Sequence, residues 1–149
     1  MHLEADSNLY GITVNPYNRE LSAGGSSGGG GALIALRGSC LGIGGKCRTN
    51  KHIFIIQIFH LQTLGSIRSP AANNGLYDLK PTGFHLPTDG WSLIMPGADP
   101  ITTVIGPLSI SLWVIKHFMA MIIAAKPWFS EPALLPMPKK QSLYPLTRL

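Results

Sequence analysis

Apolar side chains along this chain gather in short runs divided by glycine, proline and asparagine. Leu9, Ile12 and Val14 predict an extended segment in residues 1–22 that ends at the turn Asn15-Pro16-Tyr17-Asn18. Residues 24–31 hold six glycines and two serines in eight positions, and Ala32-Leu33-Ile34-Ala35-Leu36-Arg37 then predicts a short helix stopped by Gly38. Ile43-Gly44-Gly45 reads as a brief strand and turn, and Ile53-Phe54-Ile55-Ile56-Gln57-Ile58-Phe59 has strong β-propensity with almost no polarity. Gly65 to Ala72 reads as a second small-residue loop. Leu79-Lys80-Pro81-Thr82 and Val104-Ile105-Gly106-Pro107-Leu108 read as strand ends running into turns. The firmest element is a helix from about Ser109 to Ala125, with Ile110, Val114, His117/Phe118, Met121, Ile122 and Ala125 on one stripe and Pro127 as its stop. Residues 127–149, rich in proline, are expected to wrap a surface or fray. There is no internal repeat. Strands alternating with helices give the fold class α/β.

Composition narrows the possible functions more than it changes the architecture. At 149 residues, 45% hydrophobic and 13% charged, the chain can bury a core and is too apolar to be read as disordered. The net charge is +5 and the pI about 9.5, yet the basic groups Arg37, Lys46, Arg48 and Lys51, and Lys139 and Lys140, have no interleaved aromatics and no helical spacing. Nucleic acid is therefore not expected as a partner. No secretory signal is visible in Met1-His2-Leu3-Glu4-Ala5-Asp6. The longest apolar run, Ile110 to Ala125, is interrupted by Lys116 and His117 and falls short of the roughly 20 residues a membrane span needs, so a buried helix is expected. Two cysteines without a signal suggest reduced thiols and a cytoplasmic location. Cys40, Cys47, His52 and His60 are spaced C-x6-C-x4-H-x7-H, which fits neither arm of a zinc finger, so neither metal nor cofactor is expected.

The glycine-serine run has three readings. A flexible linker would join polar segments, whereas this run leads straight into an apolar helix. A phosphate loop of the G-x-x-x-x-G-K-[ST] type fails because Gly31 and Ala32 stand where lysine and serine or threonine should be. The third reading, a loop presenting serine for chemistry, gains from the segments downstream. AGGSSGGGGALIALRGSCLGIG, then GSIRSPAANNGLYDLKPT, then VIGPLS together resemble the amidase signature family, in the style of fungal acetamidases and fatty acid amide hydrolase. The resemblance covers residues 6–44 and 65–138.

That resemblance implies part of a mixed β-sheet flanked by helices and a Ser–Ser–Lys site that hydrolyses small-molecule carboxylic amides to acid and ammonia or amine. By position Ser66 of GSIR corresponds to the nucleophile. Ser26 of GGSSGG corresponds to the bridging serine that sits on a cis peptide. Leu64, Gly65, Ser27 and Gly25 fall in the loops that hold the oxyanion and shape the site. A serine hydroxyl attacks poorly until a neighbour takes its proton, and backbone N–H groups stabilise the developing oxyanion where glycines let the main chain come close. Ser27 is read as a hydrogen-bonding loop residue, and Arg68 as a structural ion-pair former. Trp91, Met95 and Phe118 are read as core.

Two departures from the family pattern bear on activity. The family lysine precedes both serines, but the first lysine here is Lys46, and Arg19 and Arg37 stay protonated. The family also runs from GIG through T-D-I-G directly to GSIR, where this chain has Gly45 to Leu64, a non-family insertion. Gly45-Lys46-Cys47 can be encoded by GGTAAGTGC, which contains a splice-donor sequence, so residues 45–62 read as a translated short intron. The chain is thus expected to be a partial amidase domain over residues 1–149, short of a base and of an intact oxyanion loop, and marginally stable. The alternatives are a binding or scaffold protein that keeps part of the fold, and an active enzyme whose base comes from a partner chain.

Overall fold

The computed structural model describes residues 4–44, 65–89 and 104–137. Strands β1 (Asp6–Ser7) and β2 (Gly11–Ile12) form a small antiparallel hairpin. Helix α1 (Gly28–Ala35) and strand β3 (Gly42–Gly44) follow, then helix α2 (Arg68–Asn74) and strand β4 (Tyr77–Asp78). Strand β5 (Gly106–Ser109) leads into helix α3 (Leu112–Ala125), and Pro127–Phe129 closes with one 3-10 turn. The second sheet has the order β3-β5-β4, with both pairings antiparallel.

Alternation along β5 divides the core into two layers. Leu108 lies opposite Gly42 and packs with Ile34 of α1, Ile67 and Ala71 of α2, backed by Leu76 and Ile110. On the other side Ile105 packs with Phe118 of α3 and Leu86, joined by Ile43, Met119 and Ile122. Side chains two apart on a strand share a face, so one sheet holds α1 and α2 on one side and α3 on the other. The chain after α3 returns to this second layer: Leu134 is buried and the Leu135 N–H donates to the Phe84 carbonyl at 2.8 Å.

Four elements depart from expectation. The extended segment expected through Leu9, Ile12 and Val14 folds back as the β1–β2 hairpin, with Leu9 in its turn. Helix α1 begins inside the glycine run, at Gly28, four residues before the predicted start. Gly28, Gly30 and Gly31 are buried in it, and a β-carbon on Gly31 would lie 2.9 Å from Asn74 Nδ2 and 3.1 Å from Pro70 Cβ. Close approach to α2 therefore overrides the poor helix propensity of glycine. The segment expected as a second loop is helix α2. Its proline sits in the first turn, where no N–H is needed, and Gly75 ends it in the left-handed conformation at φ 66°. Helix α3 starts at Leu112 instead of Ser109 and keeps only part of the expected stripe: Phe118 is buried and Ile122 packs beside it as expected, Ile115 is buried as well, and His117, Met121 and Ala125 are exposed. The helix is apolar almost all round, so periodicity alone does not select the face that meets the sheet.

Leu112–Phe129 also has the length and hydropathy to cross a membrane by those two criteria alone, with mean hydropathy 1.2 over 18 residues. Phe118 packs with Ile105 and Leu86, and Met119 and Ile122 pack against that cluster, so the helix lies on the sheet by one face. With only Ile115 and Phe118 buried in α3, it is not the buried helix the sequence predicts. The strongly β-prone run 53–59, together with Trp91, Met95 and the last part of the proline-rich tail, lies outside the described residues.

Candidate active site

The glycine-serine loop and the start of α2 meet over the first core layer. Ile67 is fully buried among Ile34, Ala71 and Leu108, which fixes Ser66 one residue away. Ser66 itself is 4% exposed. The Ser69 N–H donates to the Gly65 carbonyl at 2.7 Å and so closes the turn that carries Ser66. Across from it, the peptide bond between Gly25 and Ser26 is cis. The Ser26 hydroxyl donates to Ser66 Oγ at 3.1 Å, a contact between residues 40 apart in sequence.

Gly24 shows how tightly the two segments are joined. It has φ +79°, and a β-carbon there would fall 2.8 Å from Ser69 Oγ and 2.9 Å from the Pro70 nitrogen. Only glycine suits both the conformation and the space. Gly25 is buried against the Glu4 backbone. Ser27 is fully buried, and its hydroxyl has no hydrogen-bond partner among the described residues.

Of the residues singled out from sequence, Ser26 and Ser66 lie together, with Gly25 and Ser27 flanking Ser26 and Gly65 buried beside Ser66. Leu64 lies outside the described residues. Arg68 is exposed and forms no ion pair among the described residues. Its positive charge does act on Asp78, pulling that carboxyl down, but burial is the larger effect and leaves the Asp78 pKa raised above 3.8. Cys40 is exposed, while Cys47, His52 and His60 lie outside the described residues. Among the described residues no three His, Cys, Asp or Glu side chains come together to hold a metal.

Sequence reasoning missed a set of asparagines that join the two halves of the site. The Asn74 amide nitrogen donates to the Ala23 carbonyl and to the Pro70 carbonyl, both at 2.8 Å. Asn73 Nδ2 reaches the Ser22 carbonyl at 3.2 Å, and Asn15 Nδ2 the Asn73 carbonyl at 2.6 Å. Only the consecutive asparagines before Gly75 hint at this, and polar side chains at a helix end usually face solvent.

The Amidase family profile matches residues 1–47 and 62–147. This chain belongs to the amidase family. It is 44% identical to the amidase-family protein C550.07 of Schizosaccharomyces pombe over 99% of its own length and 25% of that protein's. With an acetamidase of Aspergillus oryzae it shares 36% identity, over 95% of this chain and 23% of the other. A solved structure of fatty acid amide hydrolase superposes with a TM-score of 0.78 at 34% identity, covering 97% of this chain and 23% of that one. The chain therefore spans about a quarter of the length of these relatives, and its fold is part of the amidase fold.

Proposed function

We propose that this chain carries the two-serine portion of a site that hydrolyses carboxylic amides. Ser66 is the nucleophile and Ser26 the bridge that passes its proton on. The observation that carries this reading is the Ser26–Ser66 hydrogen bond at 3.1 Å, formed by two loops that are far apart in sequence. Both hydroxyls can rotate and either can donate. When Ser66 is the donor, its proton moves toward Ser26 as its oxygen attacks the amide carbonyl carbon. The C–N bond then breaks, the nitrogen leaves as ammonia or amine after protonation, and water releases the acyl group from Ser66 as the acid.

The proton must end on a base, and no lysine precedes Lys46 in this sequence. Serine alone does not supply that basicity, and the resemblance places the base on a lysine ahead of both serines, so on this reading the 149 residues by themselves are expected to show no turnover. Amides are the substrate class in keeping with relatives named for acetamide and fatty acid amides. The test is a release assay on the purified chain with acetamide and a long-chain amide, alongside Ser66→Ala. No turnover above the uncatalysed rate is expected in either protein. Turnover abolished by Ser66→Ala would keep the nucleophile and overturn the missing base. Turnover unchanged by Ser66→Ala would overturn the nucleophile.

A further inference from the structure

We infer that Asn74 is a positioning residue, one that sets the distance between the two site serines by pinning the glycine-serine loop to helix α2. The inference rests on the two-serine reading above.

Asn74 is fully buried at the end of α2, eight residues after Ser66. Its one amide nitrogen serves two carbonyls at 2.8 Å. One is Pro70, on its own helix. The other is Ala23, three residues before Ser26 on the opposite loop. The orientation of the amide follows from its partners: both are acceptors, so the nitrogen must face them and an oxygen there would be repelled. Asn74 Oδ1 has no partner among the described residues. A buried amide with an unmade bond carries a penalty, so this side chain stands where it does for the two bonds its nitrogen makes.

The neighbours extend the same bolt. Asn73 Nδ2 donates to Ser22, and Asn15 Nδ2 reaches back to the Asn73 carbonyl. Asn15 is itself held in a tight turn, its Oδ1 accepting the Tyr17 N–H at 2.8 Å. Three amides thus tie residues 15–23 to the C-terminal half of α2. Gly24 meets the N-terminal half of the same helix at Ser69 and Pro70. The loop that carries Ser26 is fastened along the length of the helix that follows Ser66. Neither hydroxyl is touched by Asn74; it acts only through the backbone.

A test independent of turnover replaces the serines by a thiol pair. In a chain with Cys40 and Cys47 changed to serine, Ser26→Cys and Ser66→Cys are introduced, and their effective concentration is measured by equilibration with glutathione. The parent pair is expected to close readily, since the parent oxygens are 3.1 Å apart. Asn74→Asp keeps the shape but loses both donors, and is expected to lower the effective concentration about 10-fold or more. Asn73→Ala, at an exposed position away from the core, is expected to lower it about 3-fold. Ile105→Ala, which weakens the second core layer away from both serines, serves as the control for general destabilisation. Losses in the asparagine variants no larger than in Ile105→Ala would overturn the inference and leave the two-serine site standing. Failure of the parent thiol pair to close would overturn both.

Discussion

At the scale of single residues, the site is held together by what is missing as much as by what is present. Gly24 and Gly29 belong to the same run, yet their surroundings differ: Gly24 has φ +79° and faces Ser69 and Pro70, while nothing lies within 4 Å of a β-carbon on Gly29. Gly24→Ala is expected to cost about 1–3 kcal/mol, from the left-handed conformation and the overpacking against α2. Gly29→Ala, on the exposed side of α1, is expected to gain about 0.5–1 kcal/mol because alanine is the better helix former. Urea midpoints at constant slope measure both, and equal effects of the two substitutions would contradict the close approach. Ser26 and Ser66 were legible in the sequence because an ordered motif surrounds each. Asn15, Asn73 and Asn74 were not, because their partners are backbone carbonyls on another segment, and no residue type marks a carbonyl that needs a donor.

At the scale of elements, local signals gave the position of a segment better than its state. α1 starts early because α2 packs against its glycines, and α2 itself was hidden by a proline that is harmless in a first turn. The αL glycine at position 75 is the local mark of α2, set against a small-residue composition that suits a loop equally well. The short strands were placed within a few residues, but which of them pair could not be read from such brief segments. β4 carries its own pH dependence. Burial raises the Asp78 pKa above its unfolded value of 3.8, against the opposing pull of Arg68. The native state then binds the proton more tightly than the unfolded state does. The contribution of Asp78 to stability is present below about pH 3.8 and is lost as pH rises through the raised native value. Asp78→Asn should therefore melt higher than the parent at neutral pH, with the gap closing as the pH falls toward 3. Melting curves across that range check it, and a gap that widens toward acid would show the opposite sign.

At the scale of the whole molecule, the described residues expose more large apolar side chains than they bury. Leu9, Tyr10, Tyr17, Leu112, Trp113, Met121 and Phe129 are all open to solvent, while the two core layers rest on small clusters around Leu108 and around Ile105 with Phe118. Burial of apolar surface is the main favourable term in folding, so these 149 residues, with one face of α3 open, are expected to have little stability to spare. Exposed apolar patches of this kind drive association. The outer face of α3 is expected to make the purified chain self-associate as its concentration rises. Met121→Lys and Trp113→Glu together address that face, both being exposed and about 80° apart round the helix, without entering either core layer. Glutamate also suits the first turn of α3, where no acid now offsets the helix dipole. Sedimentation velocity over a range of concentrations should show the double variant shifted toward monomer, with its melting temperature unchanged or slightly raised. Association that persists undiminished would assign the sticky surface to the β1–β2 hairpin, where Leu9, Tyr10 and Ile12 are the exposed apolar residues.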